Sequence, residues 1–101
     1  MKGRERAELR SDAHHLDPTV HIGHLGITPA VVSSLDDALR TRELVKVKLP
    51  KGSEIKPKEQ AGSLATSTSS EVIQVIGRTA TFYRENPDLP RKKDDLPPWK
   101  R

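Results

Sequence analysis

The chain has 101 residues, 33% of them apolar and 32% charged, with a net charge of +4 and a pI near 9.6. That length fits one domain, because hydrophobic cores divide only in much longer chains. Leu, Ile, Val and Phe supply 23 residues, a little above the roughly 20% below which chains tend to stay disordered, so the core is thin and excludes a large enclosed pocket. No cysteine is present, which rules out disulfides, thiolate zinc sites and a thiol nucleophile. The apolar runs are too short to cross a bilayer, and residues 1–6 lack the apolar stretch of a secretory leader. A cytoplasmic protein with no membrane partner is expected. The basic excess permits a polyanionic partner but does not establish one.

Residues 4–15 carry Leu9 and Ala13, with Leu16 just beyond, at helical spacing, and Arg6 and Arg10 lie off that stripe. Asp17-Pro18 ends the helix, since the residue before proline avoids helical dihedrals. Thr19-Val20-His21-Ile22 is a short strand, closed by Gly23-His24-Leu25-Gly26. A second helix follows: Thr28 caps it, Pro29 suits its first position, and Val31, Val32, Leu35, Ala38 and Leu39 form one apolar face.

Leu44-Val45-Lys46-Val47-Lys48-Leu49 alternates as a strand with one wet side, Val45, Val47 and Leu49 inward and Lys46 and Lys48 outward. After Pro50-Lys51-Gly52-Ser53, a third helix presents Ala61, Leu64, Ala65 and Thr68. Val72-Ile73-Gln74-Val75-Ile76 reads as a buried strand. Gly77-Arg78 then forms a two-residue hairpin turn into residues 79–84, where Phe82 and Tyr83 take opposite faces. The order α-β-α-β-α-β-β implies parallel strands followed by one antiparallel hairpin. Right-handed crossovers put both connecting helices on one face, leaving the other open with Lys46 and Lys48 on it.

Beyond residue 84 the composition changes. Half of the eight prolines fall in residues 85–101, where Leu89, Leu96 and Trp99 are too few and scattered to offset ordering. Residues 1–84 are the expected domain and 85–101 a mobile, nearly self-neutralising tail.

The strand-to-helix loop holds the chemistry. Two glycines three apart let backbone N–H groups approach a phosphate, with a helix N-terminus behind them, the logic of the GXXG loop in KH domains. A tight turn that needs both glycines explains the pattern as well. Other constellations are weaker. Of the four histidines His14, His15, His21 and His24, the pair His21-x-x-His24 has no carboxylate at a supporting i+4 spacing for a metal. Adjacent Asp36 and Asp37 point apart on a helix, and the Ser67-Thr68-Ser69-Ser70 run reads as a helix end. Three aromatic residues make no stacking platform of the kind an RRM uses.

Several blocks resemble the bacterial YhbY-like proteins, single CRM (chloroplast RNA splicing and ribosome maturation) domains. They are Ala13-His14-His15-Leu16 with Pro18, the 23–26 loop with Ile27-Thr28, Glu43-Leu44-Val45-Lys46-Val47-Lys48, and Gln74-Val75-Ile76-Gly77-Arg78-Thr79 ending in Tyr83-Arg84. The resemblance covers roughly residues 4–84. It implies an α+β two-layer sandwich like the C-terminal domain of translation initiation factor three, with a mixed four-stranded sheet in order 1-2-4-3 and helices on one face. It also implies RNA binding linked to precursors of the large ribosomal subunit. Four positions depart from the family pattern. His24 and Leu25 stand where many relatives carry basic or small polar residues, Asp17 stands where a basic residue is usual, and Ser69 replaces a capping glycine.

The resulting expectation is a non-enzymatic, monomeric binder of ribosomal RNA, with no cofactor and no small-molecule substrate. Its footprint joins Gly23, His24, Leu25, Gly26 and Thr28 to the basic residues Arg10, Arg42, Lys46, Lys48 and Arg78. The alternative is a ribosome-associated protein adaptor with incidental RNA affinity.

Overall fold

The computed structural model describes residues 3–88 together with Pro97 and Trp99. The elements are α1 (Gly3–Ala13), β1 (Val20–His21), α2 (Pro29–Arg42), β2 (Leu44–Lys48), α3 (Pro57–Thr68), β3 (Glu71–Ile76) and β4 (Thr79–Tyr83). The four strands form one sheet in the order β1-β2-β4-β3. β1 runs parallel to β2, and β4 is antiparallel to both β2 and β3. The expected order and strand directions are therefore present. β1 is only two residues long, extended at each end by the bonds Thr19 N–H to Lys46 O and Ile22 N–H to Lys48 O, both 2.9 Å.

Strand alternation divides the core in two. Val45, Val47, Leu49, Ala80 and Phe82 point to one face, where Leu35 and Leu39 of α2 and Ala61 and Leu64 of α3 cover them. The two crossover helices thus share a face, as right-handed connections require. The opposite face is not open along its whole length. Leu9 and Ala13 of α1 pack there on Leu44 and Ile73, with Leu16, Tyr83 and Trp99 at the margin. Because α1 precedes β1 and is not a crossover, the handedness rule leaves its side unconstrained. Its apolar stripe settles on the face that β2 and β3 leave uncovered.

β3 also differs from the expected buried strand. With β4 inserted between it and β2, β3 becomes an edge; only Ile73 is fully buried and Ile76 is 59% exposed. A bulge between Val72 and Gln74 breaks the register. As bulges do, it puts two neighbours on one side: Ile73 joins the α1 cluster while Gln74 stays opposite Thr81.

α3 ends at Ser69 in the left-handed conformation, φ 54° and ψ 40°, its N–H reaching the Ala65 and Thr66 carbonyls. A Cβ there is unfavourable, whereas glycine adopts this region freely. Ser69→Gly is expected to raise stability by about 1 kcal/mol, measured as a higher denaturation midpoint with unchanged slope.

The end of β4 is tied to both crossover helices. Arg84 donates to Asp36 Oδ1 at 2.6 Å, to the Asp36 carbonyl at 3.1 Å and to the Thr68 carbonyl at 2.7 Å. Buried Glu43 ends α2 with φ 65°. Its carboxylate accepts the Asn86 N–H at 2.6 Å, and the Asn86 amide donates to the Arg40 carbonyl at 2.6 Å. Most of the segment expected to be a mobile tail (residues 89–96, 98, 100 and 101) lies outside the described residues. Trp99 is described, and it joins a cluster that already exists. Its ring meets Tyr83 edge-on at 5.9 Å, and its indole N–H donates to Asp12 Oδ2 at 3.1 Å. Burial, and then the carboxylates of Glu85, Glu5 and Glu71, push the Tyr83 phenol above its ordinary range.

Candidate nucleic-acid interface

Parallel β1 and β2 leave the sheet at the same end. β1 runs on into residues 23–26, and β2 into Leu49 and Pro50. β4 begins at that end as well, since Thr79 sits opposite Lys48 and Leu49 N–H donates to the Arg78 carbonyl at 2.7 Å. The glycine loop, Lys48 and Arg78, remote in sequence, therefore lie at one end of the sheet. Both α2 and α3 start from this end, each with proline in its first turn, so two positive dipole ends accompany the cations. No acidic residue lies in the first turn of α2. The carboxyl ends of parallel strands are also where open α/β sheets usually receive ligands.

Within the loop, Gly26 N–H donates to the Gly23 carbonyl at 3.0 Å. His24 and Leu25 stand at the exposed tip, Leu25 78% exposed. Gly26 has φ +74°, which a side chain would strain. Gly23 lies outside the left-handed region, and a Cβ placed on it would meet nothing within 4 Å. Turn geometry thus demands glycine at 26 but gives no such reason at 23. The bare backbone at 23 leaves room for a ligand to approach closely. Thr28 caps α2, its Oγ1 accepting the Val31 N–H at 3.3 Å.

The basic residues expected to share this surface divide. Lys48 and Arg78 lie at the loop's end of the sheet. Lys46 points to the same face as Lys48 but one row further in, where its Nζ donates to the Ala13 carbonyl at 3.0 Å, a favourable place for a cation at a helix C-terminus. Arg10 is exposed on α1. Arg42 is the last residue of α2, at the opposite end, with a long 3.5 Å bond to Thr19 Oγ1. Arg6 holds the Val72 carbonyl and Glu71; like Arg84, it serves the fold.

Strand register adds residues that periodicity missed. His21 pairs with Lys48, Lys48 with Thr79, and Thr79 with Ile76. Paired residues share a face, so these four form one row across the sheet, at the end α1 leaves uncovered. Behind it lies a shallow cleft of about 170 Å³ lined by His14, Lys46, Gln74 and Thr81. Lys51, in the turn after β2, stands at the same end. The alternation of Lys46 and Lys48 hinted at the face, but only the pairing of different strands reveals the row. Among the described residues no three His, Asp or Glu side chains could together hold a metal ion, and no helix is long and apolar enough to cross a membrane.

The family model of the CRS1 / YhbY (CRM) domain matches residues 1–84. The chain belongs to this family. Among relatives of this CRM domain, it is 32% identical over 97 residues to the Bacillus subtilis protein named "Probable RNA-binding protein YqeI", spanning 96% of this chain and 99% of that one. A Haemophilus influenzae protein named "RNA-binding protein" is 31% identical over 97 residues, 91% of this chain and 97% of its own. The CRM fold also matches the solution structure of SAV1595 from Staphylococcus aureus, described as a candidate RNA-binding protein. That match has a TM-score of 0.76 and 38% identity, and covers 96% of this chain and 99% of the other.

Proposed function

We propose that this CRM domain is a non-enzymatic module that binds ribosomal RNA during assembly of the large ribosomal subunit. In this reading the 23–26 loop and the α2 N-terminus hold phosphates, while Lys48 and Arg78 add charge. The observation that carries it is the convergence of an unobstructed Gly23, two helix N-termini and two unengaged cations at one end of the sheet. The RNA-binding names of relatives that match almost end to end support the ligand class. Resemblance to YhbY-like proteins supports the ribosomal setting.

Backbone-directed binding of this kind is salt-sensitive and reads sequence weakly. Three to five phosphate contacts give a log–log salt slope of roughly −2 to −4 on single-stranded RNA, and Lys48→Ala or Arg78→Ala each reduces its magnitude by about 0.7. Titration of a ribosomal RNA fragment across a salt series measures this directly. A flat response would refute the electrostatic contacts. The ribosomal setting is tested separately, by co-sedimentation with large-subunit precursors. If association survives a loop substitution that abolishes binding to free ribosomal RNA, the protein-adaptor reading replaces this one.

A further inference from the structure

Arg42, left out of the loop cluster, lines a second cleft. At the foot of β1 and β2 a depression of about 520 Å³ opens between Trp99, Arg42, Thr19, Asp17, Leu44 and His15. Trp99 is the only tryptophan in the chain. It is anchored by Asp12 and Tyr83 yet only half-buried, so part of its indole is committed to the α1 cluster and part forms a wall of this cleft. Arg42 is exposed, and its 3.5 Å contact with Thr19 is too long to hold the guanidinium firmly.

We propose that this cleft receives an unpaired nucleobase of the RNA strand whose phosphates lie at the 23–26 loop. The inference rests on the RNA-binding reading above and adds a second point of contact to it. An indole wall and a planar guanidinium are the two side-chain surfaces on which unpaired bases stack. Asp17 and Thr19 supply an acceptor and a hydroxyl for a base edge. Charge favours a base over a phosphate: beyond Trp99 the surface is lined by Glu5, Glu8 and Asp12, which repel the backbone. The strand can reach the cleft without leaving the protein, because Thr19 and Gly23 mark the two ends of β1, about 13 Å apart at the rise of an extended chain. β1 is an edge strand, so among the described residues no strand pairs with its outer side. A base held in a duplex cannot enter, so the cleft selects unpaired RNA.

The single tryptophan makes the test direct. The full chain is titrated with a short single-stranded oligoribonucleotide of mixed sequence while Trp99 emission and RNA anisotropy are followed together. Saturable quenching that tracks binding is expected, with none from the same sequence as a duplex. Arg42→Gln, an exposed change that leaves the core alone, is expected to remove most of the quenching and weaken binding several-fold. Trp99→Leu, which keeps an apolar side chain on the cluster, should weaken binding about tenfold, with circular dichroism checking the fold. Unchanged emission together with wild-type affinity in Arg42→Gln overturns the cleft; if Gly23→Val still weakens binding in that case, the loop reading stands. An oligonucleotide that the wild-type chain does not bind overturns both.

Discussion

Gly23→Val is expected to weaken RNA binding by about tenfold or more while leaving the denaturation midpoint unchanged. Valine's Cβ finds open space at this position, and its backbone is not in the left-handed region, so the fold has little reason to object. A phosphate drawn against the loop has every reason to. Displacing it from backbone N–H donors forfeits charge-assisted hydrogen bonds worth about 1.5–3 kcal/mol each. Gly26 offers a less clean test, since its φ of +74° adds a conformational cost of roughly 1 kcal/mol to any effect on binding. Anisotropy titration of both variants, paired with urea unfolding, separates the two contributions. Wild-type affinity in Gly23→Val would reject the loop as the phosphate site.

Phe82→Ala is expected to destabilise the domain by about 3–5 kcal/mol. Phe82 is fully buried, lies opposite both Val45 and Val72, and is the largest side chain between the sheet and its two crossover helices. A domain of this size has only about 5–15 kcal/mol to lose, so the variant should unfold at a much lower urea concentration. Phe82→Leu keeps most of the volume and should lose less. A midpoint near wild type in Phe82→Ala would contradict the placement of β4 at the centre of the sheet.

That placement marks where local reading stops. The Val45, Val47 and Leu49 alternation, the proline-started helices and the Gly77-Arg78 turn were legible because each depends on residues a few positions apart. The left-handed end of α3 was not local in this sense: only the resemblance marks position 69 as a capping glycine's place, and Ser69 keeps that conformation. The neighbours of β4 were not legible from periodicity, and only resemblance to a known family supplied the sheet order. From that order follow the edge position of β3, the exposure of Ile76 and the row from His21 to Ile76. The side chosen by α1 was hidden too, because its stripe of Leu9, Ala13 and Leu16 would fit either face. Trp99 looked isolated among prolines and charges, since a tail residue's partner need not be near it in sequence.

The site divides along the same line. The spacing of two glycines ahead of a capped helix identified the loop, and the strand pattern identified Lys48 as outward-facing. Those are local facts, dictated by dihedral preference and side-chain alternation. Which cations stand at the loop's end of the sheet is not local. Lys48 and Arg78 join it because parallel β1 and β2 exit together and the hairpin turn returns to that end. Arg42 is carried to the far end by the length of α2, and Lys46 is engaged by the end of α1. The sequence by itself determined the elements, the loop and the modest basic excess. Tertiary structure alone decided how that excess is distributed, because charges far apart along the chain acquire a common field only through the pairing of strands.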